Sequence, residues 1–204
     1  MKLVRTEILI DKGDFSSSDD WRTIKTEIDT AIRSMDWPAG TGKFLLYDEK
    51  GKGRHKGNGV GAIREMFLRL LLNQSQDWKT EVKLNIPARI EPGPVDVSKR
   101  VGDKLFAVEW ETGNISSSHR AMNKLSMGLL KEVLVGGLLI LPTRTMYPYL
   151  TERIGNFEEL EPYFDMWKSL TPNKGLLGVI GVEQDGVSKN VPKFSKLTSG
   201  RSVE

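Results

Sequence analysis

Three carboxylates in the middle of this chain, Asp96, Glu109 and Glu111, have the types and spacing to hold a metal ion. Side chains alternate along a strand, so in Lys104 to Glu111 the residues Leu105, Ala107, Glu109 and Glu111 share one face. Phe106, Val108 and Trp110 take the other. That aromatic and branched face belongs in a core, which fixes the register and leaves both glutamates together. Carboxylates about 5 Å apart repel by roughly 3 kcal/mol per pair at an effective dielectric near 20. A divalent cation is the usual reason to gather them, and hard oxygen ligands suit magnesium. Such an ion would activate water for phosphodiester hydrolysis, with Asp96 and Glu109 as ligands and Glu111 as proton acceptor or second-ion ligand. The competing reading is a hairpin whose acidic side chains are simply solvated.

The elements that must position these groups follow from pattern. Asp96 and Glu109 lie on two strands of a hairpin turning through Gly102-Asp103. Asn114 or Ser116 caps the next helix, which carries Met122, Leu125 and Leu129. Upstream, Ser18-Asp19-Asp20 opens a helix with Trp21, Ile24, Ile28, Ile32 and Met35 at helical spacing, ended by Pro38. Phe44 to Tyr47 reads as a strand. A second helix runs from about Gly61 to Leu72, burying Ile63, Met66, Phe67 and Leu70, and breaks at Gln74 to Asp77. Leu138 to Leu141, stopped by Pro142, reads as a buried central strand. Asn156 with Glu159 starts a helix holding Leu160, Phe164 and Trp167, and Leu176 to Val182 forms a late strand. Strands and helices mixed around one hairpin-bearing sheet make the fold α/β, with a central mixed sheet flanked by helices.

Bulk properties agree with one domain spanning residues 1–204, whose polar, basic end from about Pro192 is expected to be mobile. At 38% hydrophobic and 28% charged residues the composition is that of an ordinary globular protein, and no apolar run reaches the ~20 residues of a membrane span. The first residues do not resemble a signal peptide, and the absence of cysteine rules out disulfides and thiolate metal sites; both agree with a cytoplasmic protein. His55 and His119 are too far apart in sequence for zinc-ligand spacing, and no phosphate-binding glycine loop or nucleophile elbow is present. Net charge is only +3, but residues 50–57 set Lys50, Lys52, Arg54 and Lys56 among glycines, a loop suited to following a phosphate chain.

The segment after the acidic strand, Thr112-Gly-Asn-Ile-Ser-Ser-Ser-His-Arg120, puts hydrogen-bonding side chains at a helix start beside the carboxylates. Glu109-Trp-Glu-Thr-Gly-Asn-Ile-Ser-Ser-Ser-His-Arg-Ala-Met-Asn-Lys-Leu125 closely resembles the catalytic segment of the BamHI-like restriction endonucleases. Tyr149-Leu-Thr-Glu-Arg-Ile-Gly-Asn-Phe-Glu-Glu-Leu-Glu-Pro-Tyr-Phe164 resembles a second segment of that family, and weaker similarity extends from about Trp37 to Pro192. The resemblance implies a restriction-endonuclease-like PD-(D/E)xK fold. It further implies a type II enzyme cutting double-stranded DNA as a homodimer, with Mg2+, two ions per active site, and the site 5′-GGATCC-3′. Asp96, Glu109 and Glu111 match the three motif carboxylates, Glu111 standing where the commoner motif has lysine. Glu81 matches a further active-site and metal-ligating glutamate through Trp78-x-x-Glu81; from the residues alone it reads as an exposed acid at a helix end. Asn114, Ser116 and Arg120 match positions that read bases in the major groove, as does Arg153, with Glu152 where the family has aspartate. The 50–57 loop and the short basic tail depart from the family pattern, and the loop is expected to replace some phosphate contacts. A structure-selective repair nuclease and a non-cleaving DNA-binding regulator would share the same carboxylates.

Overall fold

The computed structural model describes residues 1–51, 56–86, 92–151 and 153–195. Six strands form the central sheet in the order β1-β7-β6-β5-β4-β3. They are β1 (Lys2–Lys12), β3 (Trp78–Val82), β4 (Val95–Val101), β5 (Lys104–Trp110), β6 (Leu134–Pro142) and β7 (Gly175–Glu183). β5, β6 and β7 run parallel, and β1, β3 and β4 attach antiparallel to their neighbours, so the sheet is mixed. A separate parallel pair joins β2 (Leu45–Tyr47) to β8 (Gly186–Ser188).

Why the sheet has this centre is legible in β6. Leu-Val-Gly-Gly-Leu-Leu-Ile-Leu-Pro offers apolar or side-chain-free surface on both sides, and almost all of it is buried. Two apolar layers result. On one face α1 (Asp19–Arg33) and α2 (Val60–Gln74) pack Ile24, Ile28, Ile63 and Phe67 against Phe106, Val108 and Trp110. On the other, α3 (Ile115–Leu130), α4 (Phe157–Leu160) and α5 (Phe164–Lys168) bring Met122, Leu125, Phe157 and Trp167 onto the side of Ala107 and Leu139. β5 is therefore buried on both sides. The glutamate face of the alternation is covered by α3.

Local chemistry sets the helix starts. The Ser18 hydroxyl accepts the Trp21 amide at 3.1 Å, with Asp19 and Asp20 in the first turn. The Asn114 side-chain Oδ1 accepts the amides of Ser116 and Ser117, so Asn114 is the cap of α3. Some expectations are corrected. The helix expected after Asn156 is split into α4 and α5 by a short 3-10 turn at Glu161–Tyr163, where Pro162 cannot donate to a helical ladder. Met66 and Leu70 are only partly buried in α2, whose inner face includes Leu68 and Leu71 instead. Of the tail expected from about Pro192, residues 192–195 are described: Phe194 is buried and stacks on Trp37 at 4.3 Å, and the Trp37 indole donates to Pro192 O, while residues 196–204 lie outside the described residues. Among the described residues no helix is long and apolar enough to cross a membrane.

Candidate active site

Strand register brings three acids into one row. Val97 pairs with Val108 and Ser98 with Ala107, so the next rung sets Asp96 opposite Glu109. Thr80 and Val82 pair with Val97 and Val95, so Glu81 falls opposite Asp96. Reciprocal bonds fix the first rung: the Trp110 amide donates to Asp96 Oδ2 at 2.7 Å, and the Asp96 amide to Glu109 Oε2 at 3.3 Å. Glu81 is on an edge strand, not at a helix end, with φ of +53°. For a residue with a Cβ that conformation costs roughly 1–3 kcal/mol and is found where a site fixes it. Its side chain is 60% exposed.

Glu111 leaves the strand end and turns into α3. Gly113 N–H donates to its Oε1 at 2.5 Å, and the fully buried Ser118 hydroxyl donates to its Oε2. Burial pushes its carboxyl up to about 7, opposed by those donors. Burial, then the nearby charge of Asp96, also raises Glu109, while Lys124 opposes the shift. These acids are buried, at 7% exposure for Glu109 and 4% for Glu111, which removes the solvated-hairpin reading. Asp96, Glu109 and Glu111 line one cleft of about 530 Å³, whose other wall is the α3 stripe Ser117, Arg120, Ala121 and Lys124.

Two cations already touch the row. Arg64 of α2 reaches Asp96 Oδ1 and Glu81 Oε1, each at 2.7 Å. Lys124 of α3 lies 2.5 Å from Glu109 Oε1 and donates to Pro94 O at 2.6 Å. Glu109 Oε1 is buried, and the Lys124 ammonium is the cation that meets it there. Among the described residues no three potential ligands stand close enough to grip an ion as they are. The donor set fits one all the same: hard carboxylate oxygens only, two on one rung, and one buried oxygen met by a lysine ammonium that an ion could replace. The expected ligands Asp96 and Glu109 are adjacent, and Arg64 joins Glu81 to Asp96.

The expected base readers lie beside the cleft. Asn114, Ser116 and Arg120 are exposed around the start of α3, and Arg120 bonds the Ser117 hydroxyl at 3.1 Å. Arg153 is also exposed, on a loop fastened to the same place. Gly155 N–H donates to Gly113 O at 2.8 Å, and a Cβ on Gly155 would stand 2.2 Å from Ser118 Oγ. Glu152 lies outside the described residues, as do Lys52, Arg54 and His55 of the basic loop. Of that loop, Gly51 lies against Leu150, where a Cβ would meet the carbonyl oxygen at 1.8 Å, so this glycine serves packing. Sequence reasoning missed Arg64, Ser118 and Lys124. Ser117, Ala121 and Lys124 do repeat at helical spacing on the cleft side of α3, a signal that would have pointed to the lysine.

Comparison with known proteins bears on this geometry. The model of the family "Restriction endonuclease BamHI" matches residues 1–201. The type II restriction enzyme OkrAI of Oceanobacter kriegii is 43% identical over 203 residues, covering 100% of both chains. The type II restriction enzyme BamHI of Bacillus amyloliquefaciens is 36% identical over 183 residues, 86% of this chain and 81% of the relative. Among solved structures, the BglII restriction endonuclease complexed with a DNA 16-mer superposes with a TM-score of 0.60, at 12% identity, over 89% of this chain and 79% of that one. At that identity the superposition speaks for the fold, which is that of the restriction endonucleases. With the carboxylate row, its cleft and an α/β sheet of that fold in place, the match along the whole chain makes it a member of the BamHI family of type II restriction endonucleases.

Proposed function

We propose that this endonuclease is magnesium-dependent and homodimeric, and that it cuts double-stranded DNA at the palindrome GGATCC. The observation that carries the reading is one cleft with Asp96, Glu109 and Glu111 on its floor and the start of α3 on its rim. Asp96 and Glu109 would hold magnesium, with Glu81 completing the set. Bound there, the ion lowers the pKa of water and offsets charge on the phosphoryl oxygens. Glu111, oriented by Gly113 N–H and the Ser118 hydroxyl, accepts the proton of the attacking water on its carboxylate. Its position at about pH 7 suits transfer near neutrality.

Asn114, Ser116, Arg120 and Arg153, with Glu152, read base edges; the first three stand at the α3 start and the loop of Arg153 is fastened there through Gly155, which keeps reading close to cutting. A palindrome presents each half-site to one subunit, so a two-fold dimer follows from the target's symmetry. Leu130 on α3, Tyr163 in the turn between α4 and α5, and Met166 on α5 are exposed apolar side chains of the kind a second copy would cover. Digesting a plasmid of known sequence with and without magnesium, then sequencing the ends, tests the reading. Discrete fragments ending within GGATCC, only with the ion, are expected. Another site would overturn the specificity, and no cutting with any divalent ion would overturn the reaction.

A further inference from the structure

The row Glu81–Asp96–Glu109 gathers negative charge that should push itself apart, yet each acid meets a cation from a helix. Arg64 comes from α2 and joins Asp96 to Glu81; Lys124 comes from α3 and sits on Glu109. Both are well covered, with side chains 17% and 15% exposed, so solvent and salt screen them little. Neither is committed to the acids alone. Lys124 keeps a bond to Pro94 O, and Arg64 keeps one to Glu65. The strand itself offers no amine here, because Glu111 occupies the motif position where lysine is commoner. The ammonium next to Glu109 arrives instead from α3 and shares the cleft with it.

We propose that Arg64 and Lys124 are resident counter-ions of the acidic row, holding it assembled without metal and yielding its oxygens when a divalent ion enters. The proposal rests on the metal reading above. When Glu109 turns to an ion, Lys124 stays tethered at Pro94 O and its charge faces the cleft, where a DNA phosphate would lie. Arg64 likewise stays on Glu65 and leaves Asp96 Oδ1 open. The two cations offset most of the row's charge without metal, and divalent ions take over that role when they enter.

Calcium, which occupies oxygen sites without requiring turnover, is the probe, and no DNA is needed. Calorimetric titration of the wild type, Arg64→Met and Lys124→Met with calcium chloride compares side chains with and without charge. Either variant should bind calcium about tenfold more tightly, since it loses a competitor and gains uncompensated acid. Its calcium-free melting temperature should fall, and its gain on adding calcium should exceed that of the wild type. A second measurement needs no variant. The side-chain 15N resonance of Lys124 in the labelled wild type should shift on calcium addition. Unchanged or weaker calcium binding in both variants, or a Lys124 resonance indifferent to bound calcium, overturns the proposal and leaves the metal reading standing. A wild type that binds no calcium overturns both.

Discussion

Replacing Glu111 by glutamine should stabilise the metal-free protein in a pH-dependent way. The carboxyl is ordinary, near 4.5, in the unfolded chain, and is pushed up to about 7 in the fold, chiefly by burial. Between those values the folded chain keeps a proton that the unfolded chain has released. Stability therefore falls as pH rises through that window and stays at the lower level above it. The difference amounts to roughly 3 kcal/mol by pH 8. The glutamine amide cannot ionise, and its geometry suits the site: its oxygen can still accept Gly113 N–H, while the Ser118 hydroxyl rotates to accept from the new amide. Glu111→Gln should thus match the wild type near pH 4.5 and exceed it by roughly 3 kcal/mol at pH 8, or roughly 6–12 °C for a chain of this size. Urea unfolding followed by tryptophan fluorescence, in chelator at pH 5 and pH 8, measures it. Titrating groups that do not interact with Glu111 cancel in the difference between the two proteins, and Glu109, the neighbouring acid, is the one that does interact. A stability difference that is the same at both pH values would refute the burial argument. A variant less stable at pH 8 would show instead that the ionised carboxylate is welcomed by its donors.

Ser118→Ala removes a donor that lowers the Glu111 pKa, so the acid limb of single-turnover cleavage against pH should move upward; an unmoved limb would separate Ser118 from proton transfer. Gly155→Ala drives a Cβ toward Ser118 Oγ and Ile115, costing about 1–3 kcal/mol of stability, and it displaces the loop of Arg153 relative to Glu111. The ratio of GGATCC cutting to cutting at sites with one changed base should fall, and a retained ratio would show that reading and cutting are not joined there. Replacing Lys50, Lys52, Arg54 and Lys56 by alanine should lower the salt slope of DNA binding by up to about four ions, and an unchanged slope would remove the loop from the interface.

Much of the framework was legible because local patterns carried it. The alternation in β5 fixed which face holds Glu109, and the cap at Asn114 placed α3 directly after it. The two-residue turn Gly102-Asp103 already sets Asp96 opposite Glu109, since equal steps from it along both strands meet there. β3 escaped notice because an exposed edge strand has little reason to alternate: Lys79, Thr80 and Glu81 are all exposed. Glu81 was found through resemblance, and its place in the acidic row follows from pairing that no local pattern encodes. Arg64 and Lys124 were hidden for the same reason. Each belongs to a helix whose periodicity describes its buried face, and only the packing of α2 and α3 on the sheet carries these side chains to the acids. Burial of Glu111 was likewise out of reach, because it depends on Ser118 and on the approach of Gly155.

On the proposed function, Asp96 serves cutting while the start of α3 serves reading. Asp96→Asn, which preserves shape and can still accept the Trp110 amide, separates the two. The measurement is binding of a GGATCC duplex in calcium and its cleavage in magnesium, by the variant and the wild type side by side. The variant should bind GGATCC in preference to duplexes with one changed base, as the wild type does. Its cleavage should fall by more than the roughly 100-fold that loss of a metal's outer-shell partner can cost. Cleavage near the wild-type rate, or loss of GGATCC preference together with loss of cutting, would contradict the assignment.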